Sequence, residues 1–135
     1  MNSSFFRVTE RLHLAFIVMT ELGRLKEDER TSLREIASSI GIKDGYLEEV
    51  AAALKMAGLV DGRTGRNGGY RLAKSMDDIR LSDIVTAIEG PVTLVACQGG
   101  VCPVSQTCLS KSVWSLLKED VMTSLEKRTL AEVIA

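Results

Sequence analysis

The sequence contains no run of about 18 apolar residues, the length a membrane-crossing helix requires. Its apolar stretch from 8 to 25 is broken by Glu10, Arg11, His13 and Glu21. The N-terminus lacks a basic segment followed by an apolar core and a small-residue cleavage site, so the expectation is a soluble, cytoplasmic protein without a membrane partner. Internal repeats and low-complexity tracts are missing too. A P-loop is excluded, because Gly65 to Gly69 is not followed by a Lys-Ser/Thr pair and a helix. There is one histidine, His13, and no paired carboxylates or Ser/His/Asp order, so an enzyme is not expected. Neither sign of charge is in surplus: 17 Lys and Arg stand against 18 Asp and Glu, for a net charge of −1. That balance argues weakly against a nucleic-acid partner, unless the charge is sorted locally.

What is present is concentrated. All three cysteines fall between Cys97 and Cys108, in a C-x4-C-x5-C pattern with Cys102 between them. Soft thiolates suit zinc, copper(I) and iron–sulfur iron. Gly99 and Gly100 permit a tight fold of the chain between the thiols, and Pro103 fixes the backbone after the second. Ser105 is an expected helix cap that would put Cys108 in the first turn of the next helix. Unpaired backbone N–H groups there favour the thiolate. A metal or cluster site is the sharper reading; buried or free cysteines, or a disulfide with one spare thiol, remain alternatives.

Before the cysteines, apolar spacing predicts a first helix from Phe5 to Arg24, with Phe6, Leu12, Phe16, Ile17 and Met19 at helical intervals. Ser32 and Glu35 have capping-box spacing and start a second helix that ends at Gly41. A short turn leads to a third helix, from about Asp44 to Ala57, closed by Gly58. This is a helix-turn-helix pattern. Two short strands follow, at 59–61 and 70–72, around a glycine-rich basic hairpin. Residues 60–74 carry Arg63, Arg66, Arg71 and Lys74 against Asp61 alone, so basic charge is indeed gathered locally. The order predicts a mainly α winged helix-turn-helix with a small two-stranded wing. The third helix would enter the major groove of double-stranded DNA and the wing arginines would follow the minor groove. Lys43 and Tyr46 on the third helix, with Arg63, Arg66 and Arg71 on the wing, are the candidate DNA contacts.

A helix from Leu81 to Glu89 ends at Gly90-Pro91, and a long helix is predicted from about Gln106 to Lys127. Val113, Leu116, Leu117, Val121 and Leu125 form its apolar stripe, which is read as a dimer seam because helix-turn-helix proteins usually bind as two-fold dimers. Thr129 and Glu132 have capping-box spacing for a last short helix. The expected division is 1–90 for DNA reading, 91–108 for the cysteine loop and 109–135 for dimerisation.

Tyr46-Leu47-Glu48-Glu49, Leu54 to Val60, and Gly65-x-x-Gly68-Gly69-Tyr70-x-Leu72 resemble the Rrf2 family of bacterial transcription regulators. Leu81-Ser-Asp-Ile and Ile88-Glu-Gly90 continue the resemblance, which then runs into the cysteine trio and the long helix. It implies a homodimeric regulator whose operator binding follows the state of an iron–sulfur cluster, [2Fe–2S] or [4Fe–4S]. Cys97, Cys102 and Cys108 would be its thiolate ligands. The first cysteine gap is four residues where the family usually has five. Thr64 stands where an arginine usually precedes Gly65, and Lys111 where the family's cluster regulator has a histidine. In other members an acidic residue early in helix one of the partner subunit completes the site. Glu10 holds that position, and His13, one turn on, is the alternative. A thiol-disulfide regulator without a cluster and a zinc-stabilised interaction module are the competing functions.

Overall fold

The computed structural model describes residues 7–66, 68–94 and 107–134. Helix α1 (Glu10–Gly23) starts on Thr9, whose hydroxyl accepts the Leu12 N–H at 3.2 Å. It begins later than the apolar spacing suggested; Phe5 and Phe6 lie outside the described residues. Its buried stripe is Leu14, Ala15, Val18, Met19 and Leu22. The predicted Leu12, Phe16 and Ile17 are only partly covered. The helix is apolar on two faces, which is why spacing alone did not choose between them.

Helix α2 (Leu33–Ile40) is capped by Ser32, whose Oγ accepts from the Glu35 N–H at 3.1 Å. The return half of the capping box is altered: Glu35 accepts from the Thr31 hydroxyl at 2.7 Å. At its other end Gly41, at φ +77°, lets the Ile42 N–H reach back to Ala37 O at 3.0 Å. Left-handed backbone of this kind closes a helix with little strain only at glycine. Helix α3 (Gly45–Met56) buries Leu47, Val50, Ala51 and Leu54.

Strands β1 (Val60–Arg63) and β2 (Gly69–Leu72) pair antiparallel, with Val60 opposite Leu72 and Arg63 opposite Gly69. The paired ladder is longer and the loop shorter than the sequence suggested, because pairing runs up to Arg63 opposite Gly69. Thr31 adds an isolated bridge to β2: it exchanges backbone hydrogen bonds with Tyr70 at 2.7 and 3.1 Å. A Cβ on Gly69 would lie 2.8 Å from Thr31 O, and its φ is +112°. The second glycine of the wing is therefore fixed by this close approach. Helix-turn-helix plus two-stranded wing makes the fold a winged helix.

A 3-10 turn (Met76–Asp78) precedes α4 (Leu81–Glu89), which buries Ile84, Val85 and Ile88. The long helix α5 (Ser110–Lys127) touches α4 but buries none of its residues. The chain then returns: Arg128 O accepts from Leu81 N–H at 3.0 Å, and Leu130 N–H donates to Ile79 O at 2.8 Å. Helix α6 (Leu130–Ile134) lies against α1, with Leu130 fully buried in the same core cluster as Met19, Leu47, Ile79 and Ile84. Among the described residues no helix is long and apolar enough to cross a membrane.

Candidate nucleic-acid interface and thiol site

Two regions hold the candidate residues. The first is α3 with the wing. Leu47, Val50 and Leu54 anchor α3 in the core, which turns Lys43 and Tyr46 outward at its start; Tyr46 is 63% exposed. The acids of this face are partly occupied, since Glu49 pairs with Arg11 at 3.6 Å. On the wing, Arg63 and Arg66 are exposed, and among the described residues neither has an ion-pair partner. Arg71 is half-exposed and sits across the ladder from Asp61, its Nε 3.6 Å from that carboxylate.

Asp61 has a closer partner that sequence reasoning missed. Arg30 donates from Nη2 to Asp61 Oδ2 at 2.7 Å and from Nη1 to Gly69 O at 3.0 Å. The Arg30 hydrogen bond holds the Asp61 carboxyl below its ordinary range against some desolvation, and the charges of Arg30, Arg63 and Arg71 add to this. Asp61 is thus a firm anion at neutral pH. In the sequence Arg30 is one charge in a polar run, 31 residues from Asp61 and 39 from Gly69. Only the folded wing brings them together.

The second region is α5 and its approach. Cys97 and Cys102 lie outside the described residues, as do Ser105 and Gln106. Cys108 does not sit in the first turn, as expected; α5 begins two residues later, at Ser110. It nevertheless borders the helix start: its thiol lies 3.1 Å from the Ser110 hydroxyl. The Ser110 hydroxyl, then the backbone N–H groups of Lys111 and Ser110 and the Lys111 charge, lower the Cys108 pKa against some desolvation. Cys108 is a free, half-exposed thiol.

Glu10 and His13 are both exposed and share an open groove of about 1220 Å³ with Leu12, Phe16, Glu89 and, from α5, Val121 and Leu125. The Thr9 hydroxyl donates to Glu89 beside it. At 1.5 Å rise per residue, Val121 is about 16 Å and Leu125 about 22 Å along α5 from its start near Cys108. Val113 and Leu116, nearer that start, are 54% and 63% exposed.

A family model described as Rrf2, iron-dependent transcriptional regulator, matches residues 8–135. Among solved structures, the global cysteine regulator CymR of B. subtilis is 27% identical, with 96% of each chain covered and a TM-score of 0.78. IscR of T. potens is 30% identical over 96% of this chain and 86% of that one, also at a TM-score of 0.78. The oxidized form of S. aureus CymR is 25% identical over 96% of each chain, with a TM-score of 0.76.

Proposed function

Because the chain belongs to the Rrf2 family of transcriptional regulators, we propose that it is a homodimer whose binding to double-stranded operator DNA is set by an iron–sulfur cluster held by Cys97, Cys102 and Cys108. The observation that carries this reading is Cys108: a free thiol drawn toward thiolate, at the foot of an 18-residue helix with no buried residue. A thiolate of that kind fits a cluster iron, as does the three-sulfur donor set. The three-cysteine set suits [2Fe–2S] or [4Fe–4S] alike. When bound, the cluster supplies a centre that reacts with oxygen, nitric oxide or a change of potential. The described chain supplies the rest: α3 and the wing meet DNA through Lys43, Tyr46, Arg63, Arg66 and Arg71. Residues 1–90 read DNA, 91–108 hold the cluster and 109–135 dimerise.

For the fourth ligand we assign Glu10 of the partner subunit, with His13 of the partner subunit as the alternative. The Glu10 groove meets α5 well up the helix from Cys108, so the same subunit's α1 is poorly placed to reach that thiol, and a second copy is the better source. A hard carboxylate on a soft cluster is an exchangeable ligand, which suits a reactive site.

Anaerobic purification with visible spectroscopy and iron analysis tests the proposal. Wild-type protein should be coloured, and Cys108→Ser should lose the chromophore while its winged helix stays folded. Glu10→Ala should keep a cluster with an altered spectrum, and His13→Ala should change little. The second reading is a thiol-disulfide regulator, favoured by the likeness to the oxidized form of CymR and by the same thiol, whose pKa is lowered toward the thiolate that is the nucleophile of disulfide exchange. Colourless protein whose free thiols fall on oxidation would select it. Colourless protein carrying zinc would select a zinc-stabilised module.

Operator binding has its own test. Arg66→Ala should weaken binding and reduce the salt slope of log affinity by about 1, the signature of one lost phosphate contact. A salt titration that superimposes on wild type would remove Arg66 from the interface.

A further inference from the structure

We infer that Arg30 is a positioning residue for the DNA-reading wing: it holds both wing strands at once and neutralises the one carboxylate between them. The inference rests on the reading of the wing as a DNA contact. Arg30 has a side chain only 9% exposed, so it is badly placed to meet a phosphate itself. Its fork spans the hairpin, with Asp61 of β1 on one arm at 2.7 Å and Gly69 O of β2 on the other at 3.0 Å. The second arm, Nη1, also approaches Asp61 O at 3.4 Å. The next residue, Thr31, is bridged to Tyr70. Fork and bridge together tie the wing to the segment that leads into α2, and so fix its angle to the helix-turn-helix.

The same contact sets the charge of the wing. Asp61 lies between Arg30 at 2.7 Å and Arg71 at 3.6 Å. While Arg30 is the nearer partner, Arg71 is only loosely held and remains available to a phosphate. Without it, Asp61 would keep Arg71 for itself. Lysine cannot replace Arg30, because a point ammonium does not span two strands with fixed, planar bonds.

The experiment is a cycle of operator-binding salt titrations on full-length wild type, Arg30→Lys, Arg66→Ala and the double variant, with thermal unfolding of each. Arg30→Lys removes no charge, yet it should lower the salt slope by about 1 as the wing lets go of the backbone. In that background Arg66→Ala should change the slope by less than half of what it does alone, because the two act through one wing. An Arg30→Lys titration identical to wild type, or fully additive effects, overturns the inference while leaving the wing reading intact. Arg30→Lys protein that no longer folds overturns it too, since Arg30 would then be a residue of the fold. If Arg66→Ala, Arg30→Lys and the double variant all match wild type, the wing reading falls and this inference with it.

Discussion

Val113→Glu is expected to give a folded monomer that has lost most of its operator affinity. Val113 is 54% exposed in the protomer, so a glutamate there can keep its carboxylate in water within one chain. In a seam formed by two α5 helices the same carboxylate would be buried without a partner, at a cost of about 3–5 kcal/mol. Each 1.4 kcal/mol is about tenfold in an association constant, so dimerisation should weaken by two to three orders of magnitude or more. Sedimentation should show monomer with unchanged circular dichroism, and one half-site should bind far more weakly than two linked ones. A dimer that survives at wild-type strength would move the seam away from Val113.

Leu130→Ala should be among the most destabilising single changes in the chain, though it lies five residues from the end of the sequence. Leu130 is fully buried in the main core cluster, and truncating a buried leucine to alanine costs about 2–5 kcal/mol, depending on how far the cavity collapses. Chemical denaturation should show a lower midpoint at an unchanged slope. Val133, 53% exposed on the same short helix, serves as the control: Val133→Ala should stay within about 0.5 kcal/mol of wild type.

Elements stopped by glycine were legible. Gly41 and Gly58 both take φ of +77° at helix ends, as their positions after apolar stripes implied. Helix α4 has the expected limits, Leu81–Glu89, because its apolar residues fall on one side and Gly90 follows. The start of α5 was less legible, since a serine upstream looks like a cap whether or not the helix begins there. In the fold no side chain caps the Leu109 position, and the helix starts later. Long-range partners were not legible. Nothing local marks Arg30 as the clasp of a hairpin more than thirty positions away. Nothing local marked Leu130 for the main core beside Ile79, because a five-residue amphipathic turn fits a surface equally well. At the candidate site, the residue types in Cys108, Glu10 and His13 were readable as donors. Their placement within the chain depends on how α1 and α5 pack, which periodicity does not encode.

The return of the chain at Thr129 has a consequence for how the cysteine segment can change over time. Thr129 bridges to Arg80, and Arg128 O accepts from Leu81 N–H, so the chain comes back to the point where α4 set out. Helix α4 is held by its own buried face, and the far end of α5 is held by Leu130. Each helix flanking the connection 90–109 is therefore anchored through contacts of its own. Under loop-closure entropy, adding one residue to a connection of roughly twenty costs less than about 0.1 kcal/mol. Insertions and deletions in this connection should thus cost the closure of the chain almost nothing. The spacing of Cys97, Cys102 and Cys108 is therefore not dictated by closure of the chain between α4 and α5.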